Sequence, residues 1–77
     1  MVYLKLIDNN DGKIRYSYQP ERHGEEGVLL FDTKSNKTII EKLAENDGKP
    51  AFYRDHAFSM IKNNLNNLPK EKLLLWY

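Results

Sequence analysis

The chain has 77 residues, of which 40% are hydrophobic, and its 12 Lys and Arg residues nearly balance 11 Asp and Glu residues. This balance disfavours nucleic-acid binding, and the lack of cysteine excludes disulfides and thiolate metal sites. No stretch approaches the ~20 apolar residues of a membrane span. We therefore expect one small cytoplasmic domain, residues 1–77, without a membrane segment.

Alternating apolar and polar residues predict two hairpins in the first half of the chain. The four predicted strands are Val2–Asp8, Lys13–Gln19, Val28–Asp32 and Lys37–Leu43. The first two are separated by Asn9-Asn10-Asp11-Gly12, whose residues tolerate the positive φ of a tight turn. Residues 20–27 are polar, contain two glycines and predict an exposed loop.

Helical spacing marks the stretch from Pro50 to Leu68. An apolar stripe predicted to pack on the sheet is formed by Tyr53, Ala57, Phe58, Ile61, Leu65 and Leu68. Asn46-Asp47-Gly48 offers capping groups before the helix, and Pro69 blocks its continuation. The asparagines in the last turn are poor helix formers, so we expect the helix to fray there.

The apolar run Leu73–Tyr77 predicts a short final strand that returns to the sheet. The element order is then β-β-β-β-α-β. This order predicts an α+β fold of two layers, in which a mostly antiparallel sheet of about five strands carries one helix on one face.

One helix covers one face of a sheet, yet several predicted strands carry apolar residues on both faces. Uncovered apolar surface marks an interface, and aromatic residues are enriched there. We therefore predict a protein–protein interaction module, most simply a homodimer, with Tyr3, Leu29, Phe31 and Trp76 as contact residues. The alternatives are a different protein partner, or a monomer in which the twist of the sheet and loop 20–27 cover the second face.

Candidate catalytic and metal sites are weak. The segment 8–14 resembles a calcium loop, but alignment on Gly12 places Ile7 and Tyr18 at ligand positions that require acids. His23 lies among Glu21, Glu25 and Glu26 on a flexible loop that fixes no zinc geometry. His56 has only Ser59 as a nearby hydroxyl, and a structural role is favoured. We expect a non-enzymatic protein without metal or cofactor.

Nucleic-acid binding is the alternative function. Arg15, Tyr16, Tyr18 and Arg22 mix cations and aromatic rings along one strand and its exit, as base-stacking surfaces do. Strand alternation, however, puts the two tyrosines on the opposite face from Arg15. The balanced charge also argues against this function.

The second half of the chain carries Ile40-Glu41-Lys42-Leu43-Ala44-Glu45-Asn46-Asp47, then His56-Ala57 on the helix, and closes on Trp76-Tyr77. With these features it resembles a group of small uncharacterised bacterial proteins. The resemblance covers about half the chain. It implies a compact cytoplasmic domain and assigns no functional residue.

Overall fold

The computed structural model describes residues 1–48 and 52–75. The elements are β1 (Val2–Asn10), β2 (Lys13–Pro20), β3 (Gly27–Asp32), β4 (Lys37–Lys42), α1 (Phe52–Asn63) and β5 (Glu71–Leu74). The predicted α+β order, with one helix against a five-stranded sheet, is confirmed. The strands lie in the order β4-β3-β2-β1-β5, and each neighbouring pair is antiparallel.

The first hairpin follows directly from its turn residues. Asp11 and Gly12 have φ of 53° and 79°. This pair of positive values is the type I′ geometry that matches the twist of the flanking strands. The turn sets Asn10 opposite Lys13. A register shift between Leu6 and Asp8 then leaves Ile7 as an extra residue in β1.

The core lies between α1 and one face of the sheet. That face carries Val2, Leu4, Ile14, Tyr16, Tyr18, Leu29 and Phe31, and α1 contributes Ala57, Phe58, Met60 and Ile61. The spacing of the helical residues confirms the predicted packing of Ala57, Phe58 and Ile61. The chain has a radius of gyration of 11.4 Å, close to the ~11 Å expected of one compact domain of this length.

The helix ends earlier than its apolar stripe predicts. Asn64 follows the last helical residue, and its side-chain amide donates to the carbonyl of Met60 at 2.7 Å. This contact takes up a carbonyl near the helix end, and the chain continues in turns. Leu65 therefore lies outside the helix and is exposed, so its predicted core role is wrong.

The last strand is shorter than predicted and begins two residues earlier. β5 covers Glu71–Leu74 and pairs with β1, with Val2 opposite Leu74. The predicted return of this segment to the sheet is confirmed. The start of the predicted helix at Pro50 and the aromatic end of the predicted strand, Trp76 and Tyr77, lie outside the described residues.

Candidate interaction surface

The face of the sheet turned away from α1, called the outer face below, carries ion pairs where an apolar surface was expected. Arg15 on β2 donates from Nη1 to both carboxylate oxygens of Asp8, at 3.1 and 2.9 Å. Its Nε and Nη2 donate to Glu41 on β4, at 2.5 and 3.2 Å. To reach β4 the side chain crosses β3, where Leu30 stands opposite Arg15 and is only 7% exposed. The ion pairs therefore cover an apolar residue of the outer face.

The contact between Arg15 and Glu41 favours the charged form of both side chains. The hydrogen bond from Arg15 lowers the pKa of Glu41. Hydrogen bonds to Glu41 and Asp8 raise the pKa of Arg15. Each of these three side chains is about one-third exposed. Two carboxylates share one guanidinium, so the group carries one uncompensated negative charge.

The loop after β2 covers a second part of the outer face. The guanidinium of Arg22 lies 4.4 Å from the centre of the Tyr3 ring, a cation–π distance. Lys5 lies 3.8 Å from Glu26 across the same loop. Between the loop and the sheet remains an open depression of about 480 Å³. Tyr3 is thus only half-buried, with part of its ring beneath the loop.

Two of the four predicted contact residues belong to the core. Leu29 is 0% exposed and Phe31 is 2% exposed, and both pack in the cluster beneath α1. The reason is register: Leu29 stands opposite Tyr16, and Phe31 stands opposite Ile14, on the helix-covered face. Their prediction as interface residues is wrong. Trp76 lies outside the described residues.

The residues that suggested nucleic-acid binding do not form a stacking surface. Tyr16 and Tyr18 are 0% exposed, so neither ring can receive a base. Arg15 is held between two carboxylates, and Arg22 lies over Tyr3. The predicted platform of cations and aromatic rings is therefore absent at these positions.

Exposed aliphatic side chains gather instead at β4, the edge strand beyond β3. All six residues of β4 are exposed. Ile39 and Ile40 are each 41% exposed, and Leu43, just beyond the strand, is 51% exposed. Ile39 points to the outer face with Leu30, whereas Ile40 points to the helix side with Leu29. The edge thus carries an exposed isoleucine on each face.

The short length of this edge limits how far it can pair. Lys37 and Lys42 stand at the two ends of β4. A register shift against β3 leaves Glu41 as an extra residue near the second end. End lysines, bulges and shortness all restrain open-ended strand addition. Such an edge suits a limited contact rather than a growing sheet.

The sequence carries a signal for this edge that the strand pattern alone does not reveal. Two adjacent β-branched residues, Ile39 and Ile40, necessarily point to opposite faces of a strand. Both remain exposed only where a strand lies at an edge beyond the reach of the helix. A run of four consecutive strands before the helix places the last of them in that position.

A buried polar cluster lies where β2, the segment after β4 and the start of α1 meet. The hydroxyl of Tyr18 donates to Oδ2 of Asp47 at 2.7 Å and accepts the Ala44 N–H at 3.0 Å. Arg54 on α1 places its Nε 2.9 Å from the same carboxylate oxygen. The Asp47 side chain is 0% exposed. The cluster ties the first turns of α1 to the sheet.

The acidic residues around His23 contact different groups instead of converging. Glu25 lies 3.6 Å from Lys42, and Glu26 pairs with Lys5. No set of three or more His, Cys, Asp or Glu side chains that could hold a metal ion occurs within residues 1–48 and 52–75. His56 lies on the exposed side of α1.

No helix in the described part of the chain has the length and apolar composition needed to cross a membrane. The chain matches no protein-family model, no curated protein and no solved structure. The resemblance of its second half to small bacterial proteins stays a prediction.

Proposed function

We propose that this chain is a non-enzymatic protein–protein interaction module that associates with itself through strand β4. The observation that supports the proposal is the exposure of all six β4 residues, with aliphatic side chains on both faces. An edge strand also presents unpaired N–H and C=O groups, which a second strand can satisfy. A cytoplasmic location belongs to the proposal, because a chain without cysteine suits a reducing compartment.

The expected affinity of the dimer follows from the apolar surface area that is exposed at and beside β4. Ile39, Ile40 and Leu43 each retain about half their exposure. Burying the remainder contributes about 1 kcal/mol per side chain, or roughly 6 kcal/mol for two copies. Association costs at least about 4 kcal/mol in lost motional freedom. The surplus is small, so we expect a dimer whose population rises with protein concentration.

Molar mass in solution tests the proposal. Light scattering behind a sizing column, over a wide concentration range, should show a rise from the 9.1 kDa of one chain towards twice that mass. Ile39→Lys should abolish the rise, because a lysine on an edge strand blocks pairing. The matched control is Ile7→Lys, at an isoleucine of β1 that is 49% exposed, against 41% for Ile39. A mass of one chain at every concentration would remove the homodimer.

The same two variants also test whether the chain associates through a surface other than β4. Equal loss in both variants would point to a surface nearer β1. Dimerisation unaffected by Ile39→Lys would remove β4 as the contact. Folding of each variant is checked by far-UV circular dichroism.

A further inference from the structure

We infer that the partner of β4 is the β4 strand of a second copy, paired antiparallel about a two-fold axis that passes beside Ile39. The inference rests on the proposed function and deepens it by fixing the register. The two five-stranded sheets would join into one sheet of ten strands. The evidence is the distribution of charge along β4.

Symmetry limits the possible registers to very few. A two-fold axis perpendicular to the sheet makes the two edges antiparallel and identical. Residues directly opposite each other share a face of the sheet. An outer-face residue of one copy must therefore meet an outer-face residue of the other. Lys37 and Ile39 lie on the outer face by their pairing with β3, and Glu41 lies there by its contact with Arg15.

Two registers centre the contact on the strand, and they differ in charge. With Ile39 on the axis, the two copies of Ile39 face each other, and Lys37 of each copy faces Glu41 of the other. With Ile40 on the axis, Glu41 faces the aliphatic Ile39. Opposite charges and β-branched pairs across a strand pair are favourable, and a carboxylate against an aliphatic side chain is not. The first register is therefore selected.

The charged groups that would meet in the dimer are those that are not fully paired within one copy. Asp8 and Glu41 share the single guanidinium of Arg15, which leaves one negative charge in excess. Lys37 forms no ion pair within 4.0 Å among residues 1–48 and 52–75. Lys37 and Glu41 are four residue steps apart along the strand, about 13 Å, so they cannot pair within one chain. In the proposed dimer, Lys37 of each copy faces Glu41 of the other, so the ion pair would form twice.

The other edge of the sheet offers no such match. β5 covers only Glu71–Leu74, and its sole charged residues, Glu71 and Lys72, are neighbours in sequence. Neighbours in a strand point to opposite faces, so they cannot meet each other across a two-fold axis. The charge pattern therefore distinguishes β4 as the self-complementary edge.

Charge exchange tests this register. The proteins are wild type, Lys37→Glu, Glu41→Lys, the double variant, and an equimolar mixture of the two single variants. Sedimentation equilibrium at low ionic strength gives each dissociation constant. Each single change turns two attractive pairs into two repulsive ones, so we expect dissociation constants at least about tenfold larger. In the double variant, and in the mixed dimer, opposite charges face each other again, and association should return towards that of the wild type.

Controls isolate the interface from the fold. Lys70→Glu makes the same change in net charge as Lys37→Glu, but beside the opposite edge of the sheet. It should leave the dissociation constant unchanged. Glu41→Lys also removes a partner of Arg15, so each variant is checked by thermal unfolding. In about 1 M salt the differences between variants should shrink, because screening then acts over ~3 Å.

Each outcome has a defined meaning. A mixture that associates no better than its components would overturn the register. If the wild type dimerises and Lys37→Glu dimerises equally well, the register fails while the proposed function stands. If the wild type stays monomeric throughout, both fail together.

Discussion

Replacing Tyr18 with phenylalanine would remove the oxygen atom that links β2 to the segment after β4. The hydroxyl donates to the buried carboxylate of Asp47 and accepts the N–H of Ala44. Phenylalanine fills the same volume, so the ring remains packed. The carboxylate then loses a donor, and the Ala44 N–H loses its acceptor in a buried position. The variant therefore isolates the energetic value of the hydroxyl.

The magnitude follows from these two contacts. A hydrogen bond to a charged group contributes about 1.5–3 kcal/mol, and a buried donor left without a partner costs about 1–3 kcal/mol. We expect a loss of about 3 kcal/mol in the free energy of unfolding. The free energy of unfolding of a domain of 77 residues is roughly 4–12 kcal/mol in total. The change would remove a large part of the stability.

Tyr16→Phe provides the matched comparison. Tyr16 is equally buried, but within the described residues its hydroxyl makes one hydrogen bond, donating to the carbonyl of Pro69 at 2.5 Å. That carbonyl is neutral and part-buried, so its loss should cost about 1 kcal/mol. The two variants delete the same atom from the same residue type. They differ in the charge and burial of the partners.

Urea unfolding monitored by far-UV circular dichroism measures both losses. With a slope near 1 kcal/mol per molar urea, Tyr18→Phe should lower the midpoint by roughly 3 M and Tyr16→Phe by roughly 1 M. A Tyr18→Phe protein that is already unfolded without urea would also agree with the prediction, because the loss would then be as large as the stability of the wild type. Equal losses, or a larger loss in Tyr16→Phe, would refute the importance of the buried carboxylate.

Two further predictions concern close packing and acid sensitivity. Gly27→Ala should destabilise the fold by about 2 kcal/mol or more, because its Cβ would lie 2.3 Å from the Tyr18 ring and 2.5 Å from a backbone nitrogen; Gly48→Ala, with nothing within 4 Å, is the thermal-unfolding control. The lowered pKa of Glu41 means that its contribution to stability is present above the unfolded value, near 4.3, and is lost as the pH falls through the folded value. Glu41→Gln should therefore lose less stability than the wild type between neutral and acid pH in urea titrations, and a parallel loss would contradict the role of Arg15.

The order of elements could be predicted because each has a strong local signal. Asp11 and Gly12 supply the positive φ that the first hairpin needs. The stripe of Ala57, Phe58 and Ile61 identifies the buried side of the helix. The end of the helix was less predictable, because a polar side chain, Asn64, competes for a backbone carbonyl. These features depend on residues near one another in sequence.

The surface could not be predicted in the same way, because it depends on register between distant strands. β3 contains Val28-Leu29-Leu30-Phe31, so alternation alone does not say which pair faces the helix. The pairing with β2 decides it, and a polar loop separates these strands. Likewise, the covering of Leu30 by Arg15 requires a carboxylate on β4, 26 residues further along the chain.

The pairing of the first strand with the last has a consequence for the order of folding. The run from β1 to β4 forms through local hairpins, whereas β5 reaches β1 only after α1 has crossed the sheet. Until β5 has paired with it, β1 is therefore an exposed edge strand that contains the apolar residues Val2 and Leu4. Contacts between residues far apart in sequence form slowly. An exposed edge strand can aggregate before those contacts have formed. The short final strand therefore covers this edge of the sheet only late in folding, when it pairs with β1.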